Sequence, residues 1–170
     1  MELNEFKTRV LPLKDKLYRF ALSILRSRED AEDLIQEVLL KIWNGQVALE
    51  QIDNPNAYCM TMTKNMALDR LRKANRKMLH LPVEQHDVTE ELTPLTNMQH
   101  RERRQLVERL IRQLPLNFQM LIQLRDIEGE SYRDIARSLQ LSESQVKTNL
   151  FRARQLLKQQ FNNIHAYEQL

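Results

Sequence analysis

Apolar positions recur at helical spacing along most of the chain, and the interruptions fall at proline, glycine or clustered acids. From Phe6 to Leu25 the series Phe6, Val10, Leu13, Leu17, Phe20, Ala21, Ile24 and Leu25 predicts a helix with one face to bury, bent or divided at Pro12. Ser27, with Asp30 three residues on, offers a side-chain cap and an acid in the first turn, so a second helix starts there and runs to Trp43. Its buried stripe is Ala31, Leu34, Val38 and Ile42, closed by Trp43 as a core residue; Asp33, Gln36 and Glu37 point away, and Gly45 ends it. Asn54-Pro55 opens a third helix, which reaches about Lys77 and buries Cys59, Met62 and Met66.

Beyond Leu81 the period stops. Pro82, Glu84, Asp87, Glu90, Glu91 and Pro94 appear with no basic residue among them, which predicts an acidic linker over 81–97 between an N-terminal domain (1–80) and a C-terminal one (98–170). In the second domain an amphipathic helix from Met98 to Leu114 is stopped by Pro115, and another runs from Leu116 to about Glu128, where Gly129 closes it. Ser131 with Asp134 caps a short helix that turns Ile135, Ala136 and Leu139 inward, and Gln140-Leu141 makes a turn. Ser142 and Gln145 then form a capping box with Leu141 and Val146 as a hydrophobic staple. This is a helix-turn-helix. Its second helix buries Val146, Leu150, Ala153 and Leu157 and presents Ser144, Thr148, Phe151 and Gln155, flanked by Lys147, Arg152 and Arg154.

Composition narrows the fold class. Only 2 glycines and few β-branched runs leave little from which to build strands or phosphate loops, so the chain reads as all-α. A net charge of +3 is too small for a uniformly basic surface, so any nucleic-acid face must come from segregation of charge. Two such faces are visible. The exposed side of the last helix suits a major groove: Lys147, Thr148 and Arg152 toward base edges, Ser144 where the backbones come close, Phe151 toward a thymine methyl, Arg154 and Lys158 toward phosphates. The helix from Asn54 concentrates Lys64, Arg70, Arg72, Lys73, Arg76 and Lys77 against Asp69 alone. A single cysteine excludes an internal disulfide, no apolar span of about 18 residues exists, and a cytoplasmic protein is expected. His80, His86, His100 and His165 lack metal-ligand spacing, and neither a nucleophile elbow nor a Walker loop occurs, so no cofactor, metal or catalysis is expected.

The segments SREDAEDLIQEVLLKIW (Ser27 to Trp43), NPNAYCMTMTKNMALDRLRK (Asn54 to Lys73) and the C-terminal LPLNFQMLIQLRDIEGESYRDIARSLQLSESQVKTNLFRARQLL resemble the extracytoplasmic-function group of bacterial sigma factors. The resemblance covers nearly the whole chain. It implies a dissociable initiation subunit, a monomer when free and without direct membrane insertion, whose partners are core RNA polymerase, promoter DNA and an anti-sigma factor. On that resemblance Asp33, Gln36 and Glu37 dock on the clamp coiled coil of the largest polymerase subunit. Tyr58, Thr61 and Asn65 serve a pocket for an extruded minus-ten base, with Lys64, Arg70, Arg72, Lys73 and Arg76 along the separated strand. Tyr58 has a second reading as a core tyrosine with a satisfied hydroxyl. The helix-turn-helix becomes the reader of the minus-thirty-five element. The linker is either solvated chain or a segment threaded into polymerase, where its charge mimics nucleic acid.

Overall fold

A computed structural model describes residues 3–45, 52–78 and 98–168, with the side chains of 77–78, 98–100 and 165–168 left aside. The linker 81–97, most of the loop 44–53, and the side chains of the four histidines lie outside the described residues. All regular structure among them is helical. α1 spans Leu3–Arg9, a 3-10 turn holding Pro12 spans Leu11–Leu13, α2 spans Lys14–Leu25 and α3 spans Arg28–Trp43. α4 (Pro55–Met78), α5 (Met98–Arg112), α6 (Leu116–Ile122), α7 (Tyr132–Leu139) and α8 (Glu143–Glu168) follow.

The starts are set by the caps the sequence announces. Ser27 Oγ accepts from the Asp30 amide at 3.2 Å, Asn54 Oδ1 from the Ala57 amide at 2.9 Å, and Ser131 Oγ from the Asp134 amide at 3.0 Å. Between α2 and α3 the chain reverses at Arg26, a non-glycine residue at φ 56°. α2 and α3 contribute Leu17, Phe20, Ala21, Ile24, Ala31, Leu34, Ile35, Val38 and Ile42 to the N-terminal core, and α4 adds Ala57, Cys59, Met60 and Ala67. Each fully buried Leu or Phe of this set is worth about 1.5–3 kcal/mol.

Four details depart from the sequence reading. α4 buries Met60 rather than Met62 and Met66, which sit half-buried at its flank. The reason is that α4 is covered from two directions, by α2 and α3 on one side and α7 on the other, so a single stripe does not describe it. Trp43 is 38% exposed, its ring packed edge-on against Phe6 with centroids 5.3 Å apart, while its neighbour Ile42 takes the core position. The helix expected to run to Glu128 leaves α geometry after Ile122 and makes one π turn, Gln123–Ile127, in which the Glu128 amide reaches the Gln123 carbonyl at 3.0 Å. Finally, α5 stops at Arg112, two residues before Leu114, which is buried in the turn that follows.

The two halves are packed together rather than strung apart. α7 lies along α4, and α6 with its π turn lies against α2. Arg19 forks onto Glu128 at 2.8 and 2.7 Å, and Lys16 pairs with Glu130, which also accepts twice from Asn56 at 3.0 Å. Asn54 Nδ2 donates to Asp134 at 2.6 Å, and Arg26 donates to the Arg112 carbonyl at 3.1 Å and Gln119 Oε1 at 3.2 Å. Glu128 and Glu130 retain only 4% and 8% of their side-chain exposure, so these contacts are shielded from water on one side.

Candidate nucleic-acid interface

α8 begins where the capping box places it. Ser142 N–H donates to Gln145 Oε1 at 2.8 Å, and the Gln145 amide donates back to Ser142 Oγ at 3.1 Å. Val146, Leu150 and Ala153 are buried against the rest of the helix-turn-helix. That anchoring turns Ser144, Lys147, Thr148, Phe151, Arg152, Gln155 and Lys158 to solvent, all exposed, with Phe151 at 63%. Phe151 is the most exposed of the large apolar side chains among the described residues. Phe151, Arg152 and Gln155 also line a groove of about 770 Å³ completed by Phe118 of α6.

Arg154 differs from its neighbours. Its guanidinium forks onto Asp126 in the π turn at 3.2 and 2.6 Å, and that hydrogen bond holds its pKa above the ordinary arginine value, with the Tyr132 hydroxyl a smaller contributor. The π turn thus braces α8. Beside it, Tyr132 carries two more cations over its ring, Arg125 at 4.6 Å and Lys147 at 5.7 Å. Tyr132, Arg125 and Asp126 were not legible as site residues in the sequence; the aromatic following a helix cap was the one available signal.

In the N-terminal half the structure separates residues that the sequence groups together. Asp33 and Gln36 are exposed on α3. Glu37 is tied to Arg70 at 2.9 Å and Lys41 at 3.1 Å, bonds that hold its carboxyl below the usual range, and Arg70 also donates to the Asp30 carbonyl at 2.9 Å. Arg72 pairs with Asp69 at 3.0 Å, while Asn65, Lys73 and Arg76 stand exposed. Asn65 therefore faces water.

Thr61 and Lys64 lie on another side of α4, under α7. Tyr58 is half-buried against the core, and Thr61 Oγ1 reaches both the Ala57 carbonyl at 2.8 Å and the Ser138 carbonyl at 3.3 Å. Lys64 is 6% exposed, its ammonium 3.5 Å from Gln140 Oε1, and burial pushes its pKa down. Among the described residues no group of three or more His, Cys, Asp or Glu side chains could hold a metal ion, and no helix is long and apolar enough to cross a membrane.

Two helical units, one a helix-turn-helix with an open face and the other a bundle bearing an acidic and a basic helix, define an all-helical protein of the DNA-binding class. Residues 10–77 match Sigma-70 region 2, and residues 104–157 match Sigma-70, region 4. The chain is 27% identical over 148 residues to the ECF RNA polymerase sigma factor SigX of Bacillus subtilis, covering 84% of this chain and 76% of that one. It is 29% identical over 143 residues to SigL of Mycobacterium tuberculosis, also an ECF RNA polymerase sigma factor, covering 84% of this chain and 80% of that one. The fold matches the sigma factor RpoE crystallised with the anti-sigma factor NepR from Bartonella quintana, with a TM-score of 0.75, 24% identity, and coverage of 94% and 98% of the two chains. It also matches CnrH in complex with the cytosolic domain of CnrY, with a TM-score of 0.64, 20% identity, and coverage of 95% and 90%. The chain belongs to the ECF group of the sigma-70 family. It is thus a subunit that joins core RNA polymerase to promoter DNA and confers promoter-specific initiation.

Proposed function

We propose that the C-terminal unit (98–170) reads the minus-thirty-five element with α8, using Lys147, Thr148 and Arg152 at base edges, Ser144 and Phe151 at the groove surface, and Lys158 on phosphate. The observation that carries this reading is the solvent-open stripe from Ser144 to Lys158 on a helix fixed by its own capping box. Arg154 reaches phosphate only by leaving Asp126. The N-terminal unit (1–80) serves the minus-ten element through α4. Asn65, Lys73 and Arg76 are open to a strand, and Arg72 is shared only with an exposed aspartate. Arg70 acts by bracing Glu37 and α3. Asp33, Gln36 and Glu37 meet the polymerase clamp coiled coil, the acidic face supplying charge complementarity.

Tyr58, Thr61 and Lys64 serve the base pocket only after α7 leaves α4, because Thr61 and Lys64 are engaged by Ser138 and Gln140 in the closed arrangement. An anti-sigma partner fits the groove beside α8, since Phe151, Arg152 and Gln155 belong to both the groove and the reading face. The protein acts in the cytoplasm and catalyses nothing by itself.

In vitro transcription with core polymerase tests the assignment. Arg152→Ala lowers initiation from the cognate promoter by about 10-fold or more, the loss of one good bidentate base contact, and leaves core binding intact. Charge reversal at Asp33 and Glu37 weakens core binding and leaves the base preference unchanged. The opposite pattern in either variant would contradict the proposal.

A further inference from the structure

Tyr132 occupies the first position of α7, directly after the capping serine, and belongs to no part of the reading face. Its half-buried ring packs at the edge of the core, and its outer surface is where three elements meet: the π turn, α7 and α8. Arg125 Cζ lies 4.6 Å and Lys147 Nζ 5.7 Å from the ring centroid. Arg125 is fixed from behind as well, donating to the Glu130 carbonyl at 2.6 Å. Two cations drawn to one place would repel each other, and a ring quadrupole is one of the few neutral groups that attracts both. Lysine carries a long, rotamer-rich side chain, so a lysine already held over a ring gives up less freedom on meeting DNA.

We infer that Tyr132 is a positioning residue for promoter reading, its ring holding the Lys147 ammonium at the opening of α8 in the orientation from which it meets the minus-thirty-five duplex. The inference rests on the assignment of Lys147 to the reading face. It concerns the π face of the ring and not the phenolic hydroxyl, and that distinction makes it testable.

The experiment uses holoenzyme reconstituted from core polymerase and the full chain, with a promoter fragment selected in vitro by the wild-type holoenzyme. Promoter affinity and the rate of opening are measured separately. Tyr132→Leu lowers promoter affinity about two- to fivefold, the worth of an exposed cation–π contact, with the opening rate and thermal midpoint little changed. Tyr132→Phe keeps the ring and retains wild-type affinity. In a Lys147→Ala background Tyr132→Leu causes no further loss, because the group it positions is gone. In the free protein the Lys147 side-chain methylene protons resonate upfield of an unstacked lysine, and that ring-current shift survives Tyr132→Phe and vanishes in Tyr132→Leu. Equal losses in the Phe and Leu variants would overturn the inference in favour of a hydroxyl contact. So would additive losses in the double variant. If Lys147→Ala alone leaves promoter affinity unchanged, the assignment of Lys147 to the reading face fails, and the inference built on it falls too.

Discussion

At the scale of single residues, burial decides what each polar group does. Cys59 is fully buried, and burial raises its thiol from an ordinary 9.0 to about 12. The raised value means that the folded state favours the neutral thiol. The associated stability is complete below pH 9 and is lost as pH rises from about 9 toward about 12. Urea titrations of wild type and Cys59→Ala should therefore keep a constant difference below pH 9 and converge above it; a difference independent of pH across that range would refute the account. The thiol should also resist alkylation at pH 8 until the protein unfolds. Lys64 shows the limit of reading residues one at a time. Its place in a basic run suggests solvent and phosphate, yet α7 covers it, and no local signal in the sequence announces a neighbour 76 positions away.

Among the elements, the caps and turns carry the most local information. The three side-chain caps and the capping box at Ser142 are all present with normal geometry, because each is built from groups within three residues of one another. Ser142→Ala should destabilise α8 by about 1 kcal/mol, measured as a lower urea midpoint, and should weaken promoter binding, since the first two turns of that helix carry Ser144 and Lys147. The π turn was not legible. A helix with one residue too many looks like an ordinary helix in its apolar pattern until Glu128, and the contacts that hold the turn are largely tertiary: Asp126 braces Arg154, and Glu128 takes the fork of Arg19. The stripe of α4 was misphased for a related reason. Periodicity finds one buried face, and this helix has two, so Met62 and Met66 fell at the margin and Met60 was overlooked.

For the whole molecule, the helical class, the helix-turn-helix and the division into two units were legible because each rests on short-range pattern. The embrace of the two units was not, since Glu128, Glu130 and Asp134 find their partners 109, 114 and 80 positions away. Arg19→Glu should open the closed form, because Glu128 then faces a like charge at a site where it keeps 4% of its exposure. The expected cost is about 1–2 kcal/mol, held down by the 50% exposure of Arg19. X-ray scattering should record a larger radius of gyration for that variant, and adding Glu128→Arg should restore the compact value. No change on the first substitution would show that the Arg19–Glu128 pair does not decide closure, leaving it to apolar packing and the remaining polar contacts.

Closure covers the two readers unequally. α8 keeps its stripe in water while Thr61 and Lys64 lie beneath α7; on the roles proposed for them, a closed molecule would sample duplex but have nowhere to lodge an extruded base. The unequal cover would then impose an order in time: search first, strand capture second, with separation of the halves as the step between them. A promoter encountered by the free protein would be recognised without being melted. Commitment then rests with whatever draws the two halves apart.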